Sequence, residues 1–347
     1  MYFNKRKVLT NVLFVLLGGS VSYLAFSNSS PFVRKNMLPA ATAAIPANQN
    51  SNCGYSLVRG LPSGLVNPLL LVDPDCEAPS YTGLKATLQN YIDENKVAGR
   101  ITSASVYFRN LSSAEWIDCN PELTYHPGSL AKLPMLFAYL HKAENDPSIL
   151  KKTIFFDKVE EGHVHTQTFN SKAIVKGHSY TVRELLDYMI GYSDNAATYL
   201  LNVNMGFDPY LKIYSDLRLR VPSTANRDYE MSTKEYSRFF IVLYNSTYLS
   251  QEMSQLACTL LNNNEFNEGI LKGIPSTVKT IHKFGEMGEV KKNSHELHES
   301  AIVFLDNKPY LLTVMTKGSD KKVLPEIISK ISTLVYEYVQ GDKKIPA

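Results

Sequence analysis

Strand-patterned runs stand near both ends of this chain, and helix-patterned runs lie between them. On the N-terminal side, Ile101 to Phe108 alternates loosely and reads as a strand. Trp116 to Asp118 fits a partner strand, joined to it through the turn-like Asn110-Leu111-Ser112-Ser113. On the C-terminal side, Thr280 to Phe284, Ala301 to Leu305 and Tyr310 to Met315 are short apolar runs. Asp306-Asn307 between the last two signals a tight hairpin. This order predicts a single antiparallel sheet built from both chain ends, packed by terminal helices and carrying a helical insertion, an α/β (α+β) architecture. The terminal helices are legible. Leu84, Leu88 and Ile92 fall four apart, and from about Val323 the residues Leu324, Ile327, Ile328, Ile331, Leu334, Val335 and Tyr338 form one apolar stripe. In the middle, Thr181-Val182-Arg183-Glu184 is a capping box. It opens a helix with Leu185, Leu186, Met189 and Ile190 on one face and Gly191 as its stop.

Composition narrows the function classes. Of 347 residues 44% are hydrophobic and 20% charged, which supports a buried core and excludes bulk disorder. The net charge is +3 and no basic run exceeds three residues, so no nucleic-acid partner is expected. Cys53, Cys76, Cys119 and Cys258 contain no C-x-x-C pair, which argues against a structural zinc site. Lys5, Arg6 and Lys7 precede an uncharged stretch from Val8 to Phe26, long enough to cross a membrane as a helix. No A-x-A site follows closely; Ala41-Thr42-Ala43 lies too far downstream. The expectation is an uncleaved signal anchor with the N-terminus in the cytoplasm, the alternative being secretion after signal cleavage. Residues 27–79 then read as a tether that includes a Cys-flanked segment, and residues 80–345 as the folded domain beginning near Tyr81. Outside the cytoplasm disulfides are permitted; Cys53 with Cys76 and Cys119 with Cys258 are one of three connectivities, and free thiols remain open.

The chemistry starts at Ser129-Leu130-Ala131-Lys132. A serine hydroxyl needs a base, and a lysine three positions along a helix shares its face; burial would lower the pKa of that lysine and make it the base. Pro127-Gly128 before it places Ser129 at a helix start, where free N–H groups favour an oxyanion, although Pro134 falls awkwardly inside that helix. Ser-x-x-Lys recurs at Ser148/Lys151, Ser276/Lys279 and Ser319/Lys322, which read as surface residues at chance spacing. What sets Ser129 apart is ordered company: Ser193-Asp194-Asn195 after Gly191, then Lys283-Phe284-Gly285 in a strand. Ser193 would relay a proton, Asn195 would hold a substrate carbonyl or orient Lys132, and Gly285 would let an extended substrate approach the sheet edge.

The three elements resemble the S-x-x-K, S-D-N and K-T-G motifs of class A β-lactamases and penicillin-binding proteins, and Gly177 through Ala197 looks especially like the class A enzymes. The resemblance covers about residues 80–340 and implies a β-lactamase/transpeptidase-like fold. It implies Ser129 as acylated nucleophile, Lys132 as its proton partner, Ser193 as relay to the leaving group, Asn195 on the substrate amide and Lys283 on a substrate carboxylate. It also implies an oxyanion hole from the backbone N–H groups of Ser129 and Glu286, and neither metal nor cofactor. The implied ligand is a small β-lactam or a peptidoglycan peptide; separately, the stretch from Val8 to Phe26 would contact the membrane, and a monomer is expected.

Two features depart from the family pattern. Phe284 stands where the K-T-G motif usually has a hydroxyl that helps hold a β-lactam carboxylate. Between Asn195 and Lys283 there is no E-x-x-L-N glutamate to activate the deacylating water. Arg227-Asp228 looks like the pair that closes the corresponding loop, and Asp216 before it reads as a solvated helix residue, with replacement of the glutamate as its alternative role. His163 and His165 lack an evident third ligand and read as exposed polar positions, and His282 should point away from Lys283. Together these features predict an extracytoplasmic serine hydrolase that forms a Ser129 acyl-enzyme and releases it slowly. A DD-peptidase-like activity and a non-catalytic binding protein are the alternatives.

Overall fold

The structure is a computed structural model that describes residues 53–341, apart from 63, 159–167, 170–171, 224–228 and 290–293. The expected membrane segment, the His163/His165 pair and Arg227-Asp228 lie outside the described residues. Among the described residues no helix is long and apolar enough to cross a membrane.

The chain opens with β1 (Tyr55–Arg59) and β2 (Leu69–Pro74), followed by α1 (Thr82–Val97), β3 (Ser103–Asn110) and β4 (Trp116–Cys119). A helical middle contains α2 (Lys132–Asn145), the short strands β5 (Thr153–Phe155) and β6 (Ser179–Thr181), and then α3 (Val182–Gly191), α4 (Asn195–Met205), α5 (Asp208–Asp216), α6 (Thr233–Tyr244) and α7 (Gln251–Asn262). The chain returns through β7 (Thr280–Glu289), β8 (Ser294–Val303) and β9 (Tyr310–Gly318) to α8 (Val323–Gln340). The main sheet has the order β4-β3-β9-β8-β7 and is antiparallel throughout, so the two ends of the chain do meet in one sheet.

Strand alternation divides the core into two layers. Val106, Phe108, Leu312 and Val314 face Leu84, Leu88 and Ile92 of α1 and the α8 stripe of Leu324, Ile327, Ile328, Ile331 and Val335. Tyr107, Leu311 and Met315 face the helical middle. The capping box at Thr181 forms with both of its reciprocal hydrogen bonds, and Asn307 turns the β8–β9 hairpin with a φ of 56°.

β8 is longer than its apolar run suggests because its polar half is paired internally. His282 Nδ1 lies 2.7 Å from Glu299 Oε1, and Lys317 Nζ lies 2.8 Å from Glu296 Oε1. Polar residues satisfied in this way are compatible with a buried strand, although they hide it from an apolar pattern.

The part of the expected tether that the structure describes is folded, and its strands β1 and β2 pack onto the domain expected to begin near Tyr81. Cys53 and Cys76 form a disulfide with Cα atoms 5.6 Å apart, closing the β1–β2 hairpin. Val58, Leu70 and Leu71 enter the core beside Tyr107 and Trp116. The buried Arg109 guanidinium lies 2.9 Å from Asp73 Oδ1, and Trp116 Nε1 donates to Pro74 O at 2.8 Å. Cys119 and Cys258 are free thiols.

Candidate active site

The nucleophile turn is a 3₁₀ helix over Gly128–Ala131 that runs directly into α2. Ser129 therefore stands at the start of α2, with Lys132 as its first helical residue. Pro134 is the third residue of α2, inside the first turn, where a backbone N–H has no intrahelical partner to lose. Two glycines seat this turn against β7. Gly128 has a φ of +53°, and a Cβ there would stand 2.5 Å from Glu286 O. A Cβ on Gly285 would stand 2.5 Å from Pro127 O and 2.7 Å from Leu130 N. Gly285 thus admits the nucleophile turn to the strand; the close approach read from sequence as substrate against sheet is backbone against backbone. The Glu286 peptide, half of the expected oxyanion pair, is packed against Gly128 next to Ser129.

β8 grips the same turn. Glu296 Oε2 accepts from His126 N at 3.0 Å, and His298 Nε2 donates to His126 O at 3.0 Å, while His298 Nδ1 accepts from Thr316 N at 3.2 Å. Burial alone would raise the pKa of Glu296, but His298 and Lys317 hold it down at about 2.

Ser193, Asn195 and the two lysines converge. Lys132 Nζ donates to Ser193 O, to Ser193 Oγ at 3.2 Å and to Asn195 Oδ1 at 2.8 Å. Lys283 Nζ donates to the same Ser193 Oγ at 3.1 Å and to Phe284 O at 2.8 Å. Ser193 is held at a φ of 56°, a left-handed conformation that turns its hydroxyl between the two ammonium groups. Of the two groups read as partners of Asn195, a substrate carbonyl and Lys132, the contact present is the one to Lys132. Burial pulls the pKa of Lys132 down to about 7, against the opposing pull of Asp194 and Glu286. Burial, with Lys132 adding to it, holds Lys283 well below its ordinary value.

Phe284 points into the aromatic layer, its ring stacked 4.4 Å from Phe266 and edge-on to Phe169 at 6.3 Å. His282 does face away from Lys283; it is buried, with Nε2 3.3 Å from Asn264 O. Asp216 is not solvated as expected. It is buried, with Lys212 Nζ donating to Oδ1 at 2.7 Å and Tyr248 OH to Oδ2 at 2.7 Å, because the C-terminal turn of α5 packs inward. The three other Ser-x-x-Lys pairs are exposed. The sequence reading missed the buried Asp194, which accepts from Ile174 N at 2.7 Å and Ala196 N at 2.8 Å; its position one residue before a helix start was an available signal. It also missed the grip of Glu296 and His298, whose alternation on β8 was legible but whose partner lies about 170 residues away. Among the described residues no cluster of His, Cys, Asp or Glu is arranged to hold a metal.

A family model described as the beta-lactamase enzyme family matches residues 83–339. Among solved structures, PBP-A (18% identity, TM-score 0.61) covers 75% of this chain and 97% of its own. TLA-3 extended-spectrum beta-lactamase (16%, TM-score 0.64) covers 74% and 99%, and the class A beta-lactamase from Mycobacterium abscessus (17%, TM-score 0.59) covers 73% and 99%. No curated protein matches the chain.

Proposed function

The chain belongs to the beta-lactamase enzyme family and is a serine hydrolase, and we propose that it works outside the cytoplasm by opening β-lactam or related amide bonds through a Ser129 acyl-enzyme that breaks down slowly. The observation that carries the reading is the chain of contacts from Lys132 Nζ through Ser193 Oγ to Lys283 Nζ beside Ser129. Ser129 Oγ attacks the carbonyl carbon, and its proton passes to neutral Lys132. The N–H groups of Ser129 and Glu286 receive the oxyanion. Lys132 then returns a proton through Ser193 Oγ to the leaving nitrogen, the C–N bond breaks, and Ser129 is left as an ester.

Slow release is supported by the carboxylates. Asp216 is engaged by Lys212 and Tyr248, and Asp194 by backbone N–H groups, which leaves neither as an evident base for the second water. The same observation favours a second reading, penicillin-binding activity on cell-wall peptides. A PBP-A mutant has been solved as an acyl-enzyme complex with penicillin G, so a protein of this fold holds such an adduct. The Cys53–Cys76 disulfide and the basic triplet ahead of Val8 support export.

The test is intact-mass spectrometry after prolonged mixing with excess penicillin. One persistent adduct on Ser129, absent in Ser129→Ala and retained in Ser148→Ala, Ser276→Ala and Ser319→Ala, is expected. A general base is worth about 10²–10⁴ in rate, and release should be slower by that order than in glutamate-containing relatives. Rapid multiple turnover would show that a base is present, and no adduct under any condition would favour a binding protein.

A further inference from the structure

We propose that the tip of the β1–β2 hairpin is a lipid-binding surface: Leu61, Leu65, Val66 and Leu69 enter the bilayer interface outside the cytoplasm, with Arg59 at the level of the headgroups. This rests on export with residues 8–26 as a membrane anchor, and not on the acyl-transfer reading.

The hairpin sorts its apolar residues into two sets. Val58, Leu70 and Leu71 are buried in the core. Leu61, Leu65, Val66 and Leu69 are 60%, 106%, 63% and 40% exposed. Single exposed leucines are ordinary on a protein surface, but several large apolar side chains gathered at one loop end mark a contact surface. From Gly60 to Val72 no residue is charged, whereas a loop meant for water is normally polar.

The tip is held out from the domain. The Cys53–Cys76 disulfide closes the base of the hairpin, and Arg109 grips Asp73 there. Thr247 Oγ1 donates to Leu70 O at 2.6 Å, and at the neck Gly60 N donates to Pro68 O at 3.0 Å. The loop beyond the neck therefore projects from a fixed stem, and the core beneath it is already filled by Val58 and Leu70.

Charge and chain length point to lipid as the occupant. Arg59 is the only basic residue between Cys53 and Cys76 and stands beside the tip, its Nη1 donating to Asn67 O at 2.8 Å. The acidic residues of the hairpin, Asp73 and Asp75, stand at its base. An apolar end flanked by a cation matches acyl chains beneath anionic headgroups. The chain enters at that base, at Cys53, from residues 27–52, which follow the uncharged stretch ending at Phe26. A segment of that length reaches up to about 85 Å when extended, and the hairpin adds about 17 Å. A bilayer holding residues 8–26 is thus within reach of the tip.

The experiment places one reporter at the tip. The chain's single tryptophan, Trp116, is buried, so Leu65→Trp adds a separable signal. The full chain is reconstituted into vesicles of phosphatidylcholine and phosphatidylglycerol in equal parts, with or without bromine on the upper acyl chains. A side chain seated in the interface lies about 5–10 Å into the headgroup and acyl boundary, so bromine should quench the added emission by roughly half or more. The parent emission, and that added by Val97→Trp at an exposed position of α1, should be unchanged. Combining Leu61→Asp and Val66→Asp with Leu65→Trp should abolish the quenching. No quenching in a chain that floats with the vesicles would overturn the inference and leave the anchor standing. Blue-shifted emission from Leu65→Trp in vesicles, indifferent to bromine, would also overturn it and assign the tip to a second copy or to residues 27–52. A chain that does not float would overturn the anchor, and this inference with it. None of these outcomes requires Ser129 to react.

Discussion

Ser193 is the residue on which the site's geometry turns, and it is held where serine is seldom found. A left-handed backbone costs an L-residue roughly 1–2 kcal/mol. Here the conformation lets one residue offer its carbonyl to Lys132 and its hydroxyl to both lysines. Burial, and after it the charge of Lys132, disfavours protonation of Lys283, so Lys132 is the group whose charge changes near neutrality. The sign follows from Lys132 at about 7: below that pH it is protonated and cannot accept from Ser129, and above it the base form accumulates. The rate of Ser129 acylation should therefore rise with pH and level off above about 8, and should be about tenfold lower at pH 6 than at the plateau. A pH profile of labelling rate checks this; a flat profile from pH 6 to 8 would exclude Lys132 as the proton acceptor.

The elements that carry the site are a strand edge and a single 3₁₀ turn pressed together. Their separation is set by two missing side chains, at Gly128 and Gly285. Gly285→Ala would drive a Cβ into the backbone at Pro127 and Leu130, and neither can yield without moving Ser129 away from Glu286. Losing one well-placed oxyanion donor costs about 10²–10³ in rate, so Gly285→Ala should slow acylation by at least 10². Gly288→Ala, three residues along β7, meets only the His295 ring at 3.2 Å and should leave acylation within a few-fold. Labelling rates of the two variants, compared at matched thermal stability, decide it.

This difference between elements also explains what the sequence could disclose. The strands, the α8 stripe and the capped α3 were legible because period and capping are local properties. The three motif residues were legible because each recurs at fixed spacing from structure signals such as Gly191. The role of Gly285, the inward turn of Phe284 and the burial of Asp216 were not legible. Each depends on a neighbour brought in from a remote part of the chain: the nucleophile turn, Phe266 and Tyr248 respectively. The β1–β2 hairpin was obscured for a related reason. A segment rich in Gly, Pro and Leu carries no period of its own and is ordered by a disulfide and by Arg109 from β3.

At the scale of the whole molecule, the hairpin ties the compartment to the fold. If the chain is exported as proposed, a reporter fused after residue 50 should be active only when it is one that works outside the cytoplasm. Cys53→Ser made in that setting should lower stability by about 2–4 kcal/mol, read as a drop in thermal midpoint and checked against the reduced parent protein. Cytoplasmic reporter activity would contradict the proposed export. Another consequence follows from β3 lying in the sheet between β4 and β9. β3 reaches its second neighbour only after some 200 further residues have been made, with Ser103 opposite Lys317 and Asn110 opposite Tyr310. Loop closure on that scale is slow, and a chain made or translocated from its N-terminus must wait with half a sheet and an open apolar face. Lys283 and the Glu286 peptide come with β7 from the late part of the chain, so a truncated or stalled product is a client for chaperones and proteases before it can be an enzyme. Acylation at Ser129 would then report completed synthesis of the whole domain.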